Sequence, residues 1–120
     1  MDRLKTLSSN GKSIIFLNLR EYEDDKIFFR EILHRTSDIL NKKDNPQLLL
    51  ADFSGIPYTH KFFEIAKEFV SNNVQHIKAA AFNGIQLEQE IEPDIVKKAY
   101  DLHILFFSDL NDAKNWLSEK

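Results

Sequence analysis

Residues 47–53 read QLLLADF, and this short stretch decides the fold. It is apolar without alternation, and a strand with apolar side chains on both faces needs a cover on both, as strands have in parallel sheets. Asn45 and Pro46 stop the chain just before it. The stretch therefore predicts a central strand that ends near Asp52 and Phe53.

Amphipathic helical patterns separate this strand from three other strand-like stretches. The four strands are predicted at residues 13–19, 47–53, 77–82 and 103–107. The helices are predicted at residues 24–40, 59–73 and 93–102 and after Ser108, with Thr59 and Ser108 as N-terminal caps. The order βαβαβαβα predicts an α/β fold with one four-stranded, mainly parallel sheet in sequential order and right-handed crossovers.

The predicted core takes alternate side chains from each strand. Its members, or their immediate strand neighbours, are Ile15, Leu17, Leu49, Ala51, Ala79, Ala81, Ile104 and Phe106. If the helices lie mostly on one side of the sheet, the opposite apolar face needs another cover, which favours a homodimer. Helices on both faces, or residues 1–12 folded over the sheet, would instead leave a monomer.

Length and composition predict one domain over residues 1–120, because 120 residues with 42% hydrophobic content suit a single packed core. The net charge of −3 is too close to neutral to indicate a nucleic-acid partner. The absence of Cys excludes disulfides, thiolate zinc sites and cysteine nucleophiles. Residues 1–12 lack the apolar core of a signal peptide, and no uncharged stretch is long enough to span a membrane. We expect a cytoplasmic protein.

Catalytic and metal-binding patterns are sparse. Four histidines, at 34, 60, 76 and 103, have no chelating spacing, so no metal site is predicted. No glycine-rich phosphate loop is present, so no nucleotide cofactor is predicted. Asp52 and Ser54 lie at the C-terminal end of a predicted strand, where open α/β sheets bind ligands, but no third member of a catalytic triad is visible. We therefore expect Asp52 to accept hydrogen bonds from loop amides, and we predict no enzyme.

Several segments together resemble one family. They are residues 48–55 (LLLADFSG), 66–69 (AKEF), 77–84 (IKAAAFNG) and 106–117 (FFSDLNDAKNWL). In their order and spacing they are similar to the small bacterial domains related to STAS domains, the fold of anti-sigma-factor antagonists. The resemblance covers about residues 11–117, and it implies a regulatory binding domain of the signalling type rather than an enzyme.

The resemblance also implies a place for regulation. In antagonists of this type, a serine near the start of the helix after the second long core strand is phosphorylated, and its charge controls partner binding. The matching stretch here is residues 59–62 (THKF), which has no acidic-Ser-Ser-Gly pattern. Thr59 is then interpreted as a helix cap and Ser54 as a turn residue. The candidate surface for a ligand or protein partner comprises Asp52, Ser54, Thr59, His60, Asn83 and Ser108.

An alternative function is the binding of a small apolar ligand or lipid. The sequence has a weaker likeness to the lipid-binding lobe of CRAL-TRIO domains. Six phenylalanines are candidates to line a pocket: Phe28, Phe29, Phe62, Phe63, Phe106 and Phe107. Aromatic residues at helical spacing are more often part of a core than of a pocket, so the protein-interaction module is favoured.

Overall fold

The computed structural model describes residues 4–19, 26–54, 68–69, 71–84 and 104–120, with the backbone alone at 26–29. These residues contain five strands: β1 (Leu4–Ser9), β2 (Lys12–Asn18), β3 (Gln47–Asp52), β4 (Ile77–Asn83) and β5 (Ile104–Phe107). Two α-helices have both of their ends within the described residues: α1 (Lys26–Asn41) and α2 (Leu110–Ser118). Helical residues at 68–69 and 71–73 lead into a 3₁₀ turn, Val74–His76.

All five strands form one sheet in the order β1-β2-β3-β4-β5. The strands β2 to β5 are parallel neighbours, whereas β1 pairs antiparallel with β2. The predicted α/β class is confirmed, and the four predicted strands are neighbours in sequence order. The prediction of a four-stranded sheet is only roughly met, because the described residues form a mixed sheet of five strands. The predicted helix at 93–102 and most of the one at 59–73 lie outside the described residues.

The additional strand, β1, belongs to a hairpin. Asn10 and Gly11 connect β1 to β2 and both have positive φ, 50° and 77°, as the two central residues of a tight hairpin turn require. The sequence Leu-Lys-Thr-Leu-Ser-Ser of β1 has no period-2 apolar alternation, because β1 lies at the end of the described sheet and buries only Leu4 fully. For this reason the apolar pattern alone does not predict it.

Helices cover both faces of the sheet. On one face, called here the α1 face, strand side chains pack with Ile32, Leu33 and Leu40 of α1 and with Phe69. On the other, called the α2 face, strand side chains pack with Ala113 and Leu117 of α2. The structure therefore has helices on both faces, and the sheet needs no second copy of the chain to cover it where α2 lies.

The predicted core is buried, with Phe106 half-buried at its margin. One part of the alternation differs from the prediction. Leu49 pairs in register with Ala80, so Ala80 and Phe82 point to the α1 face. Ala79 and Ala81 point instead to the α2 face. A run of alanines does not show from sequence which residues point to which face of the sheet, because every member is small and apolar.

The prediction that Ser108 caps the last helix is wrong. Asp109, and not Ser108, is the N-terminal cap: its Oδ1 accepts hydrogen bonds from the backbone N–H of Asn111 at 2.8 Å and of Asp112 at 3.1 Å. Ser108 lies one residue too early to make these contacts. At the other end of α2, Asn10 Nδ2 donates to Ser118 Oγ at 3.0 Å, which ties the helix to the hairpin turn.

Candidate functional site

The carboxyl ends of the four parallel strands meet at one edge of the sheet, called here the carboxyl edge. Asn18, Asp52, Asn83 and Phe107 stand side by side in register across β2, β3, β4 and β5. The alternation of each strand points these four side chains toward the α2 face. This edge is where open α/β sheets place their ligands, so it is the candidate functional site.

Asp52 is the centre of a small hydrogen-bond network. Its side chain is 1% exposed, and its Oδ1 accepts from Ser54 Oγ at 2.6 Å, Ser54 N at 3.1 Å and Asn83 Nδ2 at 3.2 Å. A buried carboxylate is tolerated when donors of this kind replace water. Asp52 thus accepts a hydrogen bond from a backbone amide of the following turn, as expected, and also one from Asn83 at the end of β4.

Asn83 leaves one polar atom unmatched. The residue is 4% exposed, and the donation of Nδ2 to Asp52 fixes the orientation of the amide, because a flipped amide would put two acceptors together. Among the described residues, no donor lies within hydrogen-bond distance of Asn83 Oδ1. A buried acceptor with no donor costs about 1–3 kcal/mol. Within the described ranges, Asn83 Oδ1 is thus an acceptor without a donor, next to the Asp52 oxygen that accepts three hydrogen bonds.

Gly84 brings the segments after β3 and β4 into direct contact. It has φ of 89°, and a Cβ added there would lie 2.6 Å from Ser54 N and 2.8 Å from Ser54 Cα. Two separate reasons therefore require glycine at this position: the left-handed backbone conformation and the lack of space for a Cβ. The Gly84 N–H also donates to Phe107 O at 3.0 Å, which continues the ladder toward β5 beyond the end of β4.

The structure brings together three of the six predicted site residues. Asp52, Ser54 and Asn83 are in direct contact. Ser108 follows β5 at the same edge, is exposed, and has no hydrogen bond to the other three in the described part of the chain. Thr59 and His60 lie outside the described residues. The sequence analysis did not include Asn18, which lies beside Asp52 at the carboxyl edge. The signal that could have found it is a polar residue at the end of an apolar strand.

Metal chemistry has no support among the described side chains, where no three His, Asp or Glu residues come together. His34 lies on the exposed side of α1, 3.8 Å from Asp38, and His76 contacts Gln75 at 3.2 Å. No helix in the described ranges has the length and apolar character needed to cross a membrane.

Two phenylalanines proposed for an apolar pocket lie on opposite sides of the sheet. The Phe106 ring packs edge-on against Phe82 on the α1 face, with 5.9 Å between centroids. The Phe107 ring packs against Trp116 on the α2 face, with centroids 5.7 Å apart. The side chains of the other four candidates lie outside the described residues. Phe106 and Phe107 therefore serve two different cores rather than one cavity.

Comparison with known proteins identifies the class of fold. No family model matches the chain, and no curated protein matches it in sequence. Among solved structures, it is similar to an anti-sigma-factor antagonist (STAS) domain protein from Planctomyces limnophilus, at 12% sequence identity with a TM-score of 0.56. The match covers 96% of this chain and 97% of that one. The fold is thus STAS-like, which confirms the resemblance seen in the sequence.

Proposed function

We propose that this chain is a regulatory protein-interaction module that binds a partner of the anti-sigma-factor type through its carboxyl edge, and that it is not an enzyme. The observation that carries the proposal is the similarity to an anti-sigma-factor antagonist (STAS) domain protein over 96% of the chain. Because the similarity covers 96% of this chain and 97% of the other, it supports a shared mode of action better than a match to a few strands would. The proposal includes a single domain over residues 1–120 located in the cytoplasm.

The network at the carboxyl edge suits binding better than catalysis. The Oδ1 atom of Asp52 already accepts three hydrogen bonds, two of them from Ser54. A general base needs an oxygen within reach of the proton to be removed, and a nucleophilic serine needs a base oriented for that task. Here the carboxylate holds a turn in place. A rigid edge loses little freedom on binding a partner, which favours affinity.

Regulation by phosphate on Ser54 is not part of the proposal. The Ser54 hydroxyl donates to the buried Asp52 carboxylate, and its Oγ lies 2.8 Å from where a Gly84 Cβ would stand. A phosphate at Ser54 would add about −1.5 to −2 charge beside that carboxylate, which like-charge repulsion and desolvation disfavour. We propose that partner binding needs no phosphorylation of Ser54.

The test uses two serine variants of the full chain. Ser108 is exposed at the carboxyl edge, whereas Ser13 is exposed near the opposite end of β2. Tagged wild type, Ser108→Arg and Ser13→Arg are used to capture partners from cells of the source organism, and captured proteins are identified by mass spectrometry. We expect one regulatory protein with wild type and Ser13→Arg, and its loss with Ser108→Arg.

The proposal would be contradicted if Ser108→Arg captured the same partner as wild type. It would also be contradicted if both variants folded and both lost the partner equally. A third contradicting result would be the release of a bound lipid on organic extraction. The last result would favour the apolar-ligand alternative. Circular dichroism of each variant establishes that a loss of capture is not a loss of folding.

We also propose a homodimer, now through an edge of the sheet instead of a face. β5 reads ILFF, without charge or proline, and Leu105, Phe106 and Phe107 are half-buried. In the described part of the chain β5 pairs with β4 on one side. The other edge strand, β1, carries the exposed Lys5, a residue type that discourages edge pairing. Two copies of β5 are thus suited to pair with each other.

A further inference from the structure

The sequence contains two Asn-Gly pairs, and the structure gives them opposite chemical environments. Asn10 and Gly11 form the exposed hairpin turn between β1 and β2, whereas Asn83 is the buried last residue of β4 and Gly84 follows it. We propose that Asn10 is a site of spontaneous deamidation, and that its conversion releases the C-terminal end of α2 from the sheet. This inference is independent of the proposed function.

The reaction needs no enzyme and no redox partner. The backbone nitrogen of Gly11 loses its proton and attacks Cγ of Asn10, forming a new C–N bond, while the bond between Cγ and Nδ2 of Asn10 breaks and ammonia leaves. Water then opens the resulting five-membered imide at either carbonyl, which gives aspartate or isoaspartate. The net change is one amide plus water to one carboxylic acid plus ammonia.

The space around the turn permits this attack. Asn10 is exposed, and an added Cβ on Gly11 would meet nothing within 4 Å. A glycine nitrogen is the least hindered backbone nucleophile, because no side chain shields it. A two-residue hairpin turn also lies at the end of its ladder, where local opening costs least, so the rotation that brings the Gly11 nitrogen to Cγ is accessible.

The second pair is protected at both reacting groups. The Gly84 N–H donates to Phe107 O at 3.0 Å, so the nucleophilic nitrogen is held in the sheet. The leaving group, Asn83 Nδ2, donates to Asp52 Oδ1 at 3.2 Å, and the residue is only 4% exposed. Asn83 therefore serves as an internal control of identical local sequence chemistry within the same molecule.

The conversion has a structural effect because the Asn10 amide is a donor. Its Nδ2 donates to Ser118 Oγ, and the Ser118 hydroxyl donates its own hydrogen to Asn115 O at 2.8 Å. A carboxylate at position 10 has no hydrogen to donate, so it faces the lone pairs of Ser118 Oγ. It also places negative charge at the C-terminal, negative end of the α2 dipole. Both effects weaken the attachment of α2.

The test follows both asparagines in one sample. The full chain is incubated at mildly alkaline pH, digested with trypsin, and each peptide is analysed for deamidation and isoaspartate over time. We expect the Asn10 peptide to convert progressively while the Asn83 peptide does not. Ser118→Ala removes the acceptor that restrains the Asn10 amide, and we expect it to accelerate conversion at Asn10 several-fold. Equal rates at the two asparagines would overturn the assignment of the site.

The structural consequence is tested with Asn10→Asp, the aspartate product made directly. Hydrogen exchange of the backbone amides of α2 is compared with that of β3. We expect a several-fold loss of protection in α2 with β3 unchanged, and a smaller loss in Asn10→Ser, which keeps a neutral donor in the turn. Unchanged protection of α2 in Asn10→Asp would refute the release of the helix even if Asn10 deamidates.

Discussion

Asn83 Nδ2 donates to Asp52 Oδ1 across 3.2 Å, and this contact joins β3 to β4 at the level where both strands end. The two residues are 31 positions apart in the sequence but are direct partners in the ladder. The contact therefore reports on the pairing of two strands that are distant in the sequence, and not on local turn formation.

Replacing Asp52 by Asn should destabilise the protein by about 1.5–3 kcal/mol, because hydrogen bonds to a charged acceptor are stronger than those to a neutral one. Urea unfolding followed by circular dichroism measures the change. The control is Asp44→Asn, since Asp44 is exposed before β3 and should change the free energy of unfolding by less than about 0.5 kcal/mol. Equal effects at the two positions would refute a structural role for Asp52.

Gly84→Ala should cost more than Gly11→Ala, although both glycines have positive φ. At Gly11 the cost is that of the left-handed backbone, about 1–2 kcal/mol, because nothing lies near the new methyl group. At Gly84 the methyl group would in addition stand 2.6 Å from Ser54 N, so the backbone must move. The difference between the two free energies of unfolding isolates this contact, and a difference of zero would disprove it.

Asp109→Ala should destabilise the protein by about 0.5–2 kcal/mol through loss of the α2 cap. Ser108→Ala should change the stability by less than about 0.5 kcal/mol, because Ser108 is exposed and precedes the cap. Thermal unfolding of the two variants compares them directly. The reverse order would restore Ser108 as the cap predicted from sequence.

Leu49→Ala should cost about 2–5 kcal/mol, because Leu49 is fully buried in the centre of β3 on the α1 face. The control is Val74→Ala in the 3₁₀ turn, where the side chain is 42% exposed and a loss below about 0.5 kcal/mol is expected. Chemical unfolding of both variants gives the two values. A small loss for Leu49→Ala would mean that this side chain faces solvent.

The proposed dimer is tested by light scattering over a concentration series. We expect wild type at twice the monomer mass of 14.1 kDa, and Leu105→Lys as a monomer, because a charge in β5 opposes edge pairing. Thr6→Lys, at an exposed position of β1, should remain dimeric. Wild type at 14.1 kDa throughout would rule out the dimer, and a dimer unaffected by Leu105→Lys would rule out β5 as its interface.

The sequence predicts those parts of the fold whose signal is local and strong. The strand at residues 47–53 is found because unbroken apolar character has one physical meaning in a sheet of this kind. β1 is not found, because an exposed edge strand is held by its backbone ladder and needs no apolar period. The face of Ala79 is likewise invisible from sequence, since only the register with β3 decides it.

The candidate site is predicted in part for the same reason. Asp52 and Ser54 are found because they lie at the C-terminal end of a clear strand, and Asn83 because it closes another. The contact of Gly84 with Ser54 depends on how closely two separate segments approach, and no local pattern encodes that distance. The choice of Asp109 over Ser108 as the cap rests on a one-residue difference in where α2 begins, which propensity does not resolve.

The position of α2 after all five strands has a consequence for synthesis. Its partners on the α2 face include Ile14, Phe16, Leu48 and Leu50, which leave the ribosome long before residues 110–118. Among the described residues, the helical cover of this face comes from α2, so a nascent polypeptide that has completed β5 still lacks that cover for the apolar side chains beneath it, and exposed apolar surface is what chaperones shield during folding. Packing against α1 can therefore begin early in synthesis, whereas packing against α2 begins only after residues 110–118 have been made.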